Sequence, residues 1–213
     1  MKYIKWFVFS ILDVLFNVVC YLTNPVVVLF ADEVGELPAI FRWWANWDDG
    51  LDISWMVYEH CVPSWAEYDF NRHYKYHTPS EAEKTTGKHY GYVDLLDANF
   101  TMWERFQRYV CRLTWIYRNC AYGFSYHVTG IDINGADVIK VRDYPNEEGN
   151  RNQYHKTDYA FMIRYERPWC KRFWLRVFLG WKMQSVKPTQ TKRCMLALFV
   201  HPFRLRKHLE AQK

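Results

Sequence analysis

Apolar residues dominate from Tyr3 to Ala31, where Asp13 is the only acidic side chain. The run "IKWFVFSILDVLFNVVCYL" is about as long as a bilayer span requires, yet its polar positions are not scattered. Ser10, Asp13, Asn17, Cys20 and Asn24 recur at intervals of 3, 4, 3 and 4. On a helix they form one polar seam, while Phe7, Ile11, Leu15, Val18 and Leu22 face elsewhere. Such a helix is expected to lie on a membrane surface, to span it, or to sit in a soluble core. Asp13 within the apolar run and the lack of an A-x-A site argue against a cleaved signal. The Asn24-Pro25 pair predicts a helix break near Thr23.

A second helix is predicted over 99–119. Thr101 and Glu104 have capping-box spacing, and Trp103, Phe106, Val110, Leu113 and Tyr117 recur at helical intervals. Arg105, Arg108 and Arg112 fall on the opposite face. Residues 32–98 read as turns and short helices, with "HTPSEAEKTTGKHYG" as an exposed loop. After Tyr122 the pattern moves toward period two, with β-rich runs near 123–133, 136–144, 159–167, 173–183 and 194–201. Asn134-Gly135 predicts a tight hairpin, "PNEEGNRN" a longer turn, and "SVKPTQTKR" a link between the last two strands. The expected class is α+β, with N-terminal helices packed on a C-terminal antiparallel β-meander of about five strands. The expected division is a hydrophobic helical segment, 1–31, followed by one α+β domain, 32–213, that is β-rich over 122–206.

Charge sharpens this picture. The net charge is only +5, but residues 160–213 carry 13 Lys and Arg against Glu166 and Glu210, a surplus of +11. Residues 1–159 are therefore at −6. Either the halves neutralise each other or the basic part meets an anionic partner, lipid or nucleic acid. In the strand 173–183, parity predicts that Arg176 and Lys182 share an outer face with Arg172 nearby, leaving Phe173, Leu175, Val177, Leu179 and Trp181 to the core. The 6 cysteines show no C-x-x-C spacing, as expected of reduced thiols rather than a disulfide framework.

Candidate chemistry is sparse. Asp48, Asp49 and Asp52, followed by His60, offer the oxygen and imidazole ligands that a divalent metal ion would need in a phosphoester hydrolase. The same residues surround an Asp-Gly turn, and the spacing is not that of an EF-hand. His73 and His77, four apart, would share one side of a helix as zinc ligands do. Two H-x-T triplets, at His127 and His155, resemble halves of a two-histidine phosphoesterase, but the second lies in an expected loop. A glycine-rich phosphate loop and a G-x-S-x-G elbow are both missing, which disfavours familiar nucleotide and serine-hydrolase chemistry. No cofactor is expected, with a divalent metal as the alternative.

The phrases "LTNPVVVLFADEVGELP", "WDDGLD", "WERFQRYVCRLTWIYRNCAYGF", "LGWKM" and "HPFR" together resemble a family of small proteins of tailed bacteriophages and prophages with no established activity. The resemblance implies a bacterial host as the setting and transfers no catalytic residue. Taken with the apolar N-terminus and the basic C-terminal part, it points to an expected non-enzymatic accessory protein that binds a host or phage macromolecule, in the host cytoplasm or peripheral to the inner membrane through residues 4–22. Arg105, Arg108, Arg112, Arg172, Arg176 and Lys182 are the expected contacts to an anion or partner.

Overall fold

The structure, a computed structural model, describes residues 1–45, 50–52, 64–78, 80–81, 84, 92–118, 120–134, 139–145, 151–168, 173–183 and 191–205. Helix α1, Lys2–Val27, opens the chain and continues into a 3-10 turn, Val28–Phe30. The predicted break near Thr23 does not occur, because Pro25 lies inside the helix. Proline removes the amide that would bond the Tyr21 carbonyl. That carbonyl instead accepts from the Tyr117 hydroxyl at 3.0 Å. The Pro25 carbonyl, near the helix end, accepts from the Tyr109 hydroxyl at the same distance.

The polar seam faces protein as its spacing predicts. Ser10, Asp13, Cys20 and Asn24 are buried, and the Asp13 carboxylate accepts from the Ser125 hydroxyl. Outward lie Phe7, Ile11, Leu15, Val18 and Leu22, from 48% exposed at Ile11 to 77% at Leu22. With Ile4, Val8, Leu12, Val14, Val19 and Val26 they cover an arc of about 160°, nearly half of the helix circumference at ~100° per residue.

Two compact units share this helix: Leu15–Phe124, and Met1–Val14 with Ser125–Lys213. The former holds helix α2 (Phe70–His73), the hairpin pair β1 (Tyr74–His77) and β2 (Tyr92–Leu95), and helix α3 (Met102–Arg118). The capping box is present: the Glu104 amide donates to Thr101 Oγ1 at 3.2 Å, and the Thr101 amide donates to Glu104 Oε2 at 2.8 Å. The buried face of α3, however, is Gln107, Cys111, Arg112, Trp115 and Ile116, whereas Trp103 and Phe106 are exposed. One arginine of the expected outer stripe is therefore inside the protein.

In the other unit, strands β3 (Ile131–Asn134), β4 (Ile139–Pro145), β5 (Arg151–Lys156), β6 (Phe161–Pro168), β7 (Phe173–Trp181), β8 (Thr191–Cys194) and β9 (Leu196–Leu205) make two antiparallel sheets. Five strands form a meander in the order β4-β5-β6-β7-β9, while β3 pairs with β8. The class is thus α+β. Ile133, Phe161, Met162, Phe178, Trp181 and Leu196 build its core, and Trp6 and Phe9 of α1 pack on it. Trp6 Nε1 donates to the Ala197 carbonyl at 3.3 Å, and Lys2 Nζ donates to that of Thr157 at 2.7 Å.

Several strand expectations are corrected. Residues Tyr122–His127 form a short helix, α4, so the β-rich part begins later. Asn134 ends β3, which pairs with β8 and not with β4, while Gly135 of the predicted hairpin lies outside the described residues. His155 lies within β5 rather than in a loop, and "SVKPTQTKR" leads into β8 before β9 is reached. Parity along β7 is reversed over most of its length: Trp174 and Phe178 are buried, and Val177 is only partly covered. The left-handed backbone of Gly180, φ 100°, breaks the simple alternation between Phe178 and Trp181, and both are in the core.

Candidate functional site

A short turn creates the place where the arginines of α3 converge. Asp32 Oδ1 accepts from the amides of Val34 and Glu36, and Gly35, at φ 82°, lets residue 52 come close. A Cβ on Gly35 would lie 2.5 Å from the Asp52 amide nitrogen, so glycine is required there. Asp52, 2% exposed, is thereby held against α3.

Arg112 grips that carboxylate with two groups, Nε to Oδ1 at 2.8 Å and Nη2 to Oδ2 at 2.5 Å. Arg108 Nη2 reaches Oδ2 at 3.2 Å, and the Tyr74 hydroxyl donates to the same oxygen at 3.1 Å. Arg112 Nη1 and Nη2 also bind the carbonyls of Ala31 and Asp32, while Arg108 Nη2 also binds that of Glu33. Paired guanidinium bonding of this kind offsets the desolvation that a buried carboxylate would otherwise suffer. Burial opposes the Arg112 charge, but the hydrogen bond and charge of Asp52 prevail and raise its pKa. The Tyr74 and Tyr68 hydroxyls are pushed up by burial first and by the Asp52 charge next. Neither is an acid at physiological pH.

Outside this ion cluster α3 borders an open cleft of about 140 Å³ lined by Val28, Leu29, Arg105, Arg108, Tyr109 and Arg112. Arg105 is exposed, and its Nε donates to the Phe100 carbonyl at 3.3 Å. The Arg108 guanidinium carbon stands 4.7 Å from the Phe100 ring centre and 5.5 Å from that of Tyr74. Those rings limit how far the guanidinium can swing.

Of the other predicted site residues, the described ones are not brought together. Asp48, Asp49, His60 and Arg172 lie outside the described residues. Asp52 is committed to arginines. His73 ends α2 and His77 ends β1, so they share no helix face. His73 is buried, stacked on Phe100, with Nδ1 2.8 Å from the Asp97 carbonyl and Nε2 3.3 Å from Glu104 Oε1. His77 Nε2 meets Asp94 Oδ2 at 2.8 Å beneath the Tyr92 ring. Among the described residues, no three His, Cys, Asp or Glu side chains converge as a metal ion would need.

Arg176 is likewise not a free outer cation. Its Nε lies 3.7 Å from Oε1 of the buried Glu166, whose other oxygen is 3.6 Å from Arg164 Nη2. Lys182 is partly covered, its amide bonded to the Met195 carbonyl at 3.0 Å. Sequence reasoning missed Tyr74 and Glu166. Tyr74 lies in a stretch read as turns and short helices, and the one local signal for Glu166 was an acidic side chain within a β-pattern.

No curated protein and no solved structure matches the chain. A family model does match, over residues 1–208. The chain therefore belongs to the family of unknown function DUF7338.

Proposed function

We propose that this protein is a non-enzymatic binding protein that attaches to a membrane surface through the outer face of α1 and presents the rest of the chain to a protein partner. One observation carries the reading. The helix turns its polar seam inward and leaves an uncharged apolar face uncovered, with only 11% of its most apolar window buried. Isolated exposed apolar side chains are ordinary, but a continuous stripe of this size on a monomer marks an interaction surface.

The stripe favours lying flat over spanning. Spanning would carry the seam, and the protein packed on it, to bilayer depth. Lying flat sinks only the apolar half into the acyl region, as surface-bound helices do. Tyr3 and Tyr21 occupy one edge of the exposed arc, and Lys5 the other. Tyrosine and lysine suit headgroup depth. The commitment of Asp52 to Arg108 and Arg112 weighs against the metal-dependent hydrolase, which needs that carboxylate free. The setting we infer is a bacterial cell carrying a phage or prophage, at the inner face of its membrane.

Vesicle flotation of the full chain tests this reading. The expected result is co-flotation with phosphatidylglycerol-containing vesicles, lost in a Leu15→Asp, Leu22→Asp variant whose circular dichroism is unchanged. Wild-type protein that stays monomeric and does not float would overturn it.

A further inference from the structure

The cleft beside α3 has a charge surplus and unused donors, and both point to a ligand. Three guanidiniums border it, while Asp52 is the only carboxylate in ion-pair contact with any of them among the described residues. Asp32, whose backbone carbonyl accepts from Arg108 and Arg112, keeps its Oδ1 on the amides of Val34 and Glu36. Asp52 and the backbone carbonyls occupy one nitrogen of Arg108, Nη2. Its Nε is buried with no partner. Among the described residues, Arg105 bonds through Nε alone. Buried donors without an acceptor are rare and costly, and guanidinium forks match tetrahedral oxyanions.

We propose that this cleft binds a phosphate group, held by the free guanidinium nitrogens of Arg105 and Arg108 while Arg112 and Asp52 keep the site in shape. The carrier we assign is the headgroup of an anionic phospholipid. Leu29, 69% exposed, and the neighbouring Phe30 continue the apolar character of α1 to the mouth of the cleft. A lipid phosphate seated there would leave its acyl chains beside these side chains. This choice of carrier rests on the membrane reading; the phosphate site itself does not. Tyr109, fixed through its hydroxyl to the Pro25 carbonyl, ties the cleft to the end of α1.

The test uses the full chain and Arg105→Glu, a change at an exposed side chain. Two measurements are made: calorimetric titration with inorganic phosphate, and flotation with phosphatidylcholine vesicles with and without phosphatidylglycerol. We expect saturable phosphate binding that is lost in the variant. The preference for phosphatidylglycerol over phosphatidylcholine should also fall roughly tenfold in the variant, because one basic group near an anionic surface is replaced by an acidic one. Phosphate binding that Arg105→Glu abolishes, without flotation on either vesicle, would keep the site and overturn the lipid as carrier. No saturable phosphate binding, together with an unchanged lipid preference in a folded variant, would overturn the site while leaving the attachment of α1 intact. The conservative Arg105→Lys variant should restore part of the phosphate affinity, since it returns charge without the fork.

Discussion

The Tyr117 hydroxyl donates to the Tyr21 carbonyl at 3.0 Å, replacing the amide that Pro25 lacks. A proline in a helix interior is disruptive chiefly through that missing bond and a ring clash. Here a side chain from α3 supplies the bond, and α1 runs on to Val27. Tyr117→Phe should therefore cost about 1 kcal/mol in urea unfolding. In a Pro25→Ala background the restored backbone amide can bond the carbonyl, and the same change should cost much less. Equal costs in both backgrounds would show that the hydroxyl does not substitute for the helical donor.

Removing one partner from the Asp52 cluster should be far more damaging than removing a surface ion pair. Asp52→Ala leaves Arg112 charged, buried and unpaired, with an expected loss of about 3–5 kcal/mol. Arg112→Lys should rescue little, because an ammonium cannot make the paired contacts to Oδ1 and Oδ2. Chemical denaturation of both variants checks this. A loss of under ~1 kcal/mol for Asp52→Ala would mean the pair is no better than an exposed one.

The capping box of α3 makes a specific contribution to acid stability. Hydrogen bonds from the Thr101 amide, and then from its side chain, hold the Glu104 carboxyl down from the usual 4.5 to about 2. A carboxyl whose pKa is lower folded than unfolded stabilises the fold above the unfolded value and loses that contribution as pH falls through the folded one. Glu104→Gln, which can still cap, does not titrate. The stability difference between wild type and variant should therefore shrink between pH 4.5 and about 2. Parallel stability profiles over that window would contradict it.

Gly180→Ala should weaken the meander. A Cβ there would stand 2.1 Å from the Phe161 carbonyl oxygen, and the φ of 100° is one that alanine strains to adopt. Backbone strain of this kind costs of order 1–3 kcal/mol before the clash is relieved. Thermal melts should show a lowered midpoint, and a neutral effect would mean that β6 and β7 separate freely at this point.

What could be read from the chain depended on how local the physics was. The seam of α1 and the Thr101/Glu104 box are set by intervals of three and four, and both appear as their spacing predicts. The meander followed from alternating runs. Arg108 and Arg112 were placed outward because charge normally faces water, but their partner, Asp52, is 56 and 60 residues earlier. No window of helical length contains both ends of that pair. The helix break failed for a related reason: Tyr117 is 96 residues from the carbonyl it rescues. His155 was read as part of a loop because its neighbours are polar, although main-chain pairing with Met162 places it in a strand.

The contact between Trp6 and Ala197 spans 191 residues. At synthesis rates of about 5–20 residues per second, the ribosome needs roughly 10–40 s to supply the second partner after the first. Throughout that interval the first turns of α1 have left the ribosome without the sheet that will cover their inner side. The helix is thus available to early-binding factors or to a bilayer before its own unit can close. The order of translation lets this unit close only after β9 has been made.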